Sequence, residues 1–248
     1  MKRLHLFEFG DQPWCPRVIR GGITEFLATV ARVTKLYSPT AEIVNDLLMS
    51  SGQTKVIVLA AGSGGGILDI VPELDKATHV TLTDLFPSEG FTTADPRVEY
   101  ERNPVDATQI PKELQGVRVM YAGFHHFPPV EAHKVLADAV DANQPIAIFE
   151  ATERSLKGVL SILFVPLMVL ILVPFVRPFR WNRLILTYLI PALPLVLFWD
   201  GLVSALRTYS ASELRGITLG FPQYEWKVMT LNGPHQENIL ALTGSSNN

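Results

Sequence analysis

A single cysteine, Cys15, stands in 248 residues; this excludes an internal disulfide framework and a cysteine-built metal cluster, and no metal site is expected. Charged residues make up only 18%, with a formal charge of -3 and no long basic run. A nucleic-acid partner needs clustered Lys and Arg to neutralise phosphates, so that class is excluded. The start, MKRLHLFEFGDQP, has no apolar run of signal-peptide length before Glu8 and Asp11. Internal repeats are missing, and the tail GSSNN is the sole biased stretch. These absences favour a single domain, 1–248, in a reducing, cytoplasmic setting.

What is present is unevenly distributed. Mean hydropathy is positive, +0.22, because apolar residues concentrate in Gly158–Trp199, outside which the chain reads as ordinary soluble protein. PRVIRGGITEFLATVARVTKLY and SPTAEIVNDLLMSS read as two cover helices within 1–52, the second with Ser38 as N-cap and Pro39 at its first position. Over 55–150, KVIVLA, HVTLTD, RVEYER, VRVMYAG and PIAIFEA read as strands, with GILDIVPEL and PVEAHKVLADAVDA as helices among them. Such alternation, with strands apolar enough to be covered on both faces, predicts a parallel sheet with crossover helices. Over 209–244, Ser210 and Glu213 form a capping box, and QYEWKVMTL and ENILALTG, turning at Asn232-Gly233, must pair antiparallel.

KVIVLA runs into Gly62-Ser63-Gly64-Gly65-Gly66 and then a helix, which opens backbone N–H groups to a ligand. A dinucleotide fingerprint starting at Gly62 needs glycine where Ile67 stands, and a P-loop needs Lys-Ser/Thr after its last glycine. Neither is there. Asp84, 22 residues after Gly62, falls where a second strand returns beside the first, and its carboxylate can accept from two vicinal hydroxyls or cap a turn before Pro87.

This succession of strand, G-x-G loop, helix, HVTLTDLF, NPVDATQIP and VMYAGFHHFPP resembles the class I S-adenosylmethionine-dependent methyltransferases, from about Lys55 to the C-terminus apart from the insertion. The resemblance implies a Rossmann-like α/β fold with a seven-stranded, mostly parallel sheet, an antiparallel last strand and S-adenosylmethionine as cofactor. Its cofactor contacts fall on Ala60, Gly62 and Gly64, on Asp84 with Leu85 for the ribose, and on Asp106 with Ala107 for the adenine. The chain departs from the family's acidic-x-Gly-x-Gly-x-Gly loop at Val58 and Ala60. Asp106 also suits a local N-cap.

On the acceptor side, GFHHFPP follows the fourth strand at the carboxyl end of the sheet, where ligands bind in open α/β folds. His125 or His126 suits a general base or a structural role, with Phe124 beside them. The opening segment brings Trp14 and Arg17 toward the site as a lid or as a salt-bridged staple. Asp200, next to Trp199 at the exit of 16 uncharged residues, suits a base with a raised pKa or a cap for GLVSALRTY.

The apolar stretch within 155–201 has 19 uncharged residues from Gly158 to Val176 and 16 from Leu184 to Trp199. Pro166, Pro174, Pro191 and Pro194 interrupt both, and Arg177, Arg180 and Arg183 lie between them, against the positive-inside rule for a transmembrane hairpin. The stretch reads as a substrate-side insertion after the fifth strand, compatible with peripheral contact with the inner membrane face. The expected function is methyl transfer to a hydrophobic acceptor (prenyl, quinone, polyketide or lipid-like); the alternative is a membrane-docked interaction protein with a degenerate fold.

Overall fold

The computed structural model describes residues 1–88 and 91–247. Two helices come first, α1 (Arg17–Thr34) and α2 (Thr40–Ser51). Ser38 does not cap α2. The preceding residues already form tight turns, Ser38 N donating to Lys35 O and Thr40 N to Tyr37 O, so Pro39 takes the N-cap place without a side-chain bond.

The sheet follows as β1 (Lys55–Leu59), α3 (Gly65–Ile70), β2 (His79–Leu82), β3 (Val98–Tyr100), β4 (Val117–Tyr121), α4 (Pro129–Asp141) and β5 (Ile146–Glu150). The apolar helix set of the insertion is α5 (Leu156–Ser161), α6 (Val165–Leu172), α7 (Trp181–Leu184) and α8 (Ala192–Arg207). The chain ends with α9 (Ala211–Thr218), β6 (Tyr224–Asn232) and β7 (Asn238–Ser246). Strand order is β3-β2-β1-β4-β5-β7-β6, parallel from β3 to β5 and antiparallel for β7 against both β5 and β6. β4 and β5 are buried along their whole length, as strands covered on both faces must be. The order reverses between β1 and β4, so the loops after these strands face one crevice. The capping box at α9 forms as expected: Ser210 accepts from Glu213 N, and the Glu213 side chain accepts from Ser210 N.

The insertion differs from the sequence expectation in two ways. Pro166 and Pro174 do not break its first half. Each sits in the first positions of a helical segment, where no intrahelical donor is lost, so Leu156–Phe175 forms one 20-residue helical run of mean hydropathy 2.7. By length and composition this run is long enough to cross a membrane; a second pair, Trp181–Leu189 with Ala192–Arg207, is bent by 82° just before Pro191 and Ala192. Asp200 does not cap a helix either, because α8 starts at Ala192 and runs straight through it.

Val169, Val173 and Val176 pack with Leu193 and Leu197 of α8 and with Ile23 and Phe26 of α1, so the insertion has a core of its own against the cover helix. Glu25 on α1, almost fully buried, accepts from Arg180 Nε at 2.9 Å and forms an ion pair with the equally buried Arg183. Arg183 also donates to the carbonyls of Val176 and Pro178, both at 2.7 Å. Two of the three arginines of the connecting loop are thus held by the body of the protein, and their position reflects packing.

Candidate active site

The chain leaves β1 through Ala60 (φ 49°), Gly62 (φ 54°) and Gly64 (φ 79°), left-handed conformations that the glycines adopt without strain. At Gly66 a Cβ would meet the Tyr121 ring at 2.4 Å, which fixes how closely α3 approaches β4. Asp84, two residues past β2, accepts from Gly62 N through Oδ2 and from Phe86 N through Oδ1, each at 2.8 Å. Burial pushes its pKa up, and the bonds from Phe86 and Gly62 pull it back. Each Asp84 oxygen carries one backbone bond, which leaves further acceptor capacity on both for a diol. Tyr100 on β3 donates to Gly62 O at 2.7 Å and holds the loop from the other side.

A cavity of about 1930 Å³ starts at this loop. That exceeds the range of about 300–1,000 Å³ usual for one small ligand, so there is room for two molecules side by side. Its lining includes Ala60, Gly62, Gly64, Asp84, Leu85, Asp106 and Ala107. All seven residues of the expected cofactor set are therefore in one place. Asp106 Oδ1 accepts from Thr108 N and Oγ1, both at 2.8 Å; no helix follows, so this is a local turn at the cavity wall. The same cavity is lined by Ile162, Val165, Met168 and Leu197 of the insertion.

A polar cluster also lines the cavity. His125 and His126 occupy a 3₁₀ turn after β4, their rings 4.2 Å apart. Buried His125 is gripped by Glu150, the last residue of β5: its backbone N donates to Oε1 at 3.0 Å, and Nδ1 lies 2.7 Å from Oε2. The carboxylate can only accept, so Nδ1 carries a proton; Nε2 is buried, has no hydrogen-bond partner and lies 3.8 Å from Glu8 Oε1. His126 Nδ1 lies 2.7 Å from Asp11 and 3.6 Å from Glu8. Burial works against a charge on His126, but Glu8 and Asp11 outweigh it and raise its pKa to about 9, so it is an imidazolium at neutral pH. The geometry separates the two expected candidates for a base: His125 leaves Nε2 without a hydrogen-bond partner, and His126 is paired with Asp11.

α8 clasps the opening segment with one face, at steps of four and three residues. Asp200 accepts from Phe9 N at 2.7 Å and Gly10 N at 3.1 Å; Ser204 donates to Glu8 at 3.0 Å; Arg207 forms an ion pair with Glu8 at 3.0 Å and donates to Asp11 at 2.8 Å. Burial lifts the pKa of Asp200 to about 6, the bonds from Phe9 and Gly10 pulling the other way and the charges of Glu8 and Asp11 adding to the rise. Asp200 lines the cavity and at the same time holds the segment that covers it. Glu8, His125 and His126 also bring one ligand atom each to within 4.8 Å, a spacing that suits a metal ion. The Arg207 guanidinium already supplies the cation on Glu8, so the cluster is balanced by arginine.

Three of the four residues proposed to touch the acceptor lie elsewhere. Phe124 is fully buried against Phe127 and Tyr209, because the 3₁₀ turn points it into the core. Trp14 is 63% exposed, edge-on to Phe9. Trp199 donates to Phe7 O at 3.0 Å and anchors the opening segment from outside. Arg17 does line the cavity. Sequence reasoning passed over Glu150, Tyr100 and Arg207. The signal for Glu150 was visible: a charge ending an otherwise apolar strand, IAIFE.

No protein-family model matches the sequence, and a sequence search of curated proteins returns no match. Solved structures do match in fold. The plantazolicin methyltransferase BpumL in complex with SAH superposes with a TM-score of 0.60 over 96% of this chain and 92% of that one, at 11% identity. The same enzyme with a pentazolic desmethylPZN analog and SAH gives 0.57 over 92% and 98%, at 10% identity. Human N-acetylserotonin methyltransferase in complex with SAM gives 0.50 over 90% of this chain and 56% of that one, at 11% identity. The chain has the fold of the class I S-adenosylmethionine-dependent methyltransferases.

Proposed function

We propose that the protein transfers a methyl group from S-adenosylmethionine to a hydrophobic small molecule, of prenyl, quinone, polyketide or lipid-like character. The observation that carries this reading is the single cavity joining Asp84 and its glycine loop to the apolar wall of Ile162, Val165, Met168 and Leu197. The SAM and SAH complexes of the structural neighbours support the same cofactor. When bound, that cofactor supplies an electrophilic methyl on a sulfonium. Asp84, with Leu85, would hold the ribose hydroxyls, and Asp106, with Ala107, would meet the adenine. The insertion excludes water and positions the acceptor. His125 Nε2 takes the acceptor's proton, with Glu150 fixing the tautomer and steadying the imidazolium that forms; His126 and Arg207 balance Glu8 and Asp11.

Calorimetric titration with S-adenosylmethionine or its demethylated product tests the first half. Binding is expected, and Asp84→Ala should weaken it by at least tenfold, since hydrogen bonds to a charged group contribute about 1.5–3 kcal/mol each. Isotopically labelled cofactor with a lipid extract tests the second half. His125→Gln should lower turnover by roughly 10²–10⁴ while leaving cofactor affinity intact. Absence of cofactor binding at millimolar concentration would overturn the proposal and favour the interaction-protein reading, which Val58 and Ala60 motivate.

A further inference from the structure

Sixteen of the 28 exposed large apolar side chains among the described residues fall within the stretch 156–195. Along Leu156–Phe175, Leu160, Leu163, Phe164, Leu167, Ile171 and Phe175 recur at three- and four-residue steps, each at least half exposed, and only 11% of that run is buried in the protein. Soluble monomers rarely present a contiguous apolar surface of more than a few hundred Å². Something covers this face.

Charge chooses the cover. From Ser155 to Trp199 there is no Asp or Glu, while Lys157, Arg177, Arg180 and Arg183 are cationic. Arg180 and Arg183 are occupied by Glu25; Lys157 and Arg177 are exposed at the two ends of the helical run. Trp181, 72% exposed, and Phe179 lie just past the same end, in edge-to-face contact. An apolar stripe ending in cations and an exposed tryptophan matches the layering of a bilayer surface, with aromatic and basic groups at headgroup depth. A second copy of the chain would bring cation against cation with no acid in the stretch to answer it.

The fold sets the orientation. The run begins at Ser155, five residues after β5, with Ser155 accepting from Gly158 N. Beyond its other end, Arg183 is locked onto Glu25 of α1, and the inner side packs on α1 and α8. Both ends lie on the catalytic body, so the helix rests along it; crossing a membrane would require tearing out a buried ion pair and a packed core.

We infer that the outer face of Leu156–Phe175 docks flat on an anionic lipid bilayer, and that the same helix, whose inner residues Ile162, Val165 and Met168 line the cavity, admits the acceptor sideways from the hydrocarbon. The second clause rests on reading that cavity as the acceptor site. The docking clause does not.

The test is co-flotation of the full chain with vesicles of phosphatidylcholine alone and of phosphatidylcholine doped with phosphatidylglycerol. The expected result is tight binding to the anionic vesicles, weakened by salt. The charge pair Lys157→Glu with Arg177→Glu should weaken it by roughly 30-fold or more, and the outward triple Leu163→Glu, Leu167→Glu and Ile171→Glu should abolish it. Thermal melts establish that both variants fold; both substitute only exposed side chains. Failure of the parent to bind vesicles, or a dimer in sedimentation that the triple variant dissociates, would overturn docking. Resistance to an alkaline carbonate wash would overturn the flat orientation. Cofactor titration of the triple variant keeps the readings apart: retained cofactor affinity with lost vesicle binding confirms docking, and cofactor affinity missing from a vesicle-bound parent refutes methyl transfer alone.

Discussion

Glu25→Ala is the sharpest test of how the insertion is attached. Glu25 is 7% exposed and Arg183 2%. Removing the carboxylate leaves the Arg183 guanidinium buried with two carbonyl acceptors, from Val176 and Pro178, and no counter-charge; its Nε has no hydrogen-bond partner even in the parent. Breaking a buried pair by deleting one partner costs about 3–5 kcal/mol. For a chain of this size that corresponds to a fall in Tm of roughly 6–20 °C, at about 2–4 °C per kcal/mol. Arg183→Met should cost less, because Glu25 keeps Arg180 at 2.9 Å. The double variant Glu25→Leu with Arg183→Met should recover much of the loss, since it removes both charges. Thermal melts followed by circular dichroism give the ordering, and limited proteolysis across 176–183 reports release of the loop. A Glu25→Ala Tm within a degree or two of the parent would refute the clamp, and with it the argument that the helix cannot leave the body.

His126 should leave a signature in the pH dependence of stability. Its folded pKa of about 9 lies above the unfolded value near 6.5, so its contribution is fully present below about pH 6.5 and is lost as pH rises through 9. That contribution is on the order of 3 kcal/mol, and His126→Gln should flatten the decline in denaturant midpoint over that window; an unchanged slope would exclude His126 as the group responsible. Gly66→Ala should destabilise by about 1–3 kcal/mol, because its Cβ would press on the Tyr121 ring, which is stacked on Phe149 and hydrogen-bonded to Thr40. An unshifted chemical-denaturation midpoint would mean that α3 has room to move.

The sheet was legible because its strands are short, apolar and separated by turn residues, and because period and length alone distinguish KVIVL or IAIFE from the helices between them. The glycine loop and Asp84 were legible for a related reason: a strand end is a fixed point, and both follow one within two or three residues. The rest of the site depends on distant pairing. Asp200 reads in sequence as a base or a helix cap, and only its pairing with Gly10 and Phe9, 190 and 191 residues away, makes it an anchor. Glu25 and Arg183 are 158 residues apart, and nothing local marks either as buried. Pro166 and Pro174 misled for the opposite reason: their effect depends on where a helical segment starts, and a position in the first turn makes them harmless, whereas the bend expected in the second half is there at Pro191.

The clasp made by α8 has a mechanical meaning. Asp200, Ser204 and Arg207 tie residues 8–11 to one helix face, and Arg20 carries the connection onward, donating to Gly10 O and Gln12 O while its guanidinium lies 3.9 Å over the Phe86 ring, next to Asp84. A displacement of α8 therefore reaches the loop that carries Asp84 through a short chain of polar links. If the surface that carries the insertion favours one position of α8, the two ligands are thermodynamically reciprocal: the factor by which a bilayer tightens the cofactor is the factor by which the cofactor tightens the bilayer. The membrane would then act on this protein as an effector as well as a place.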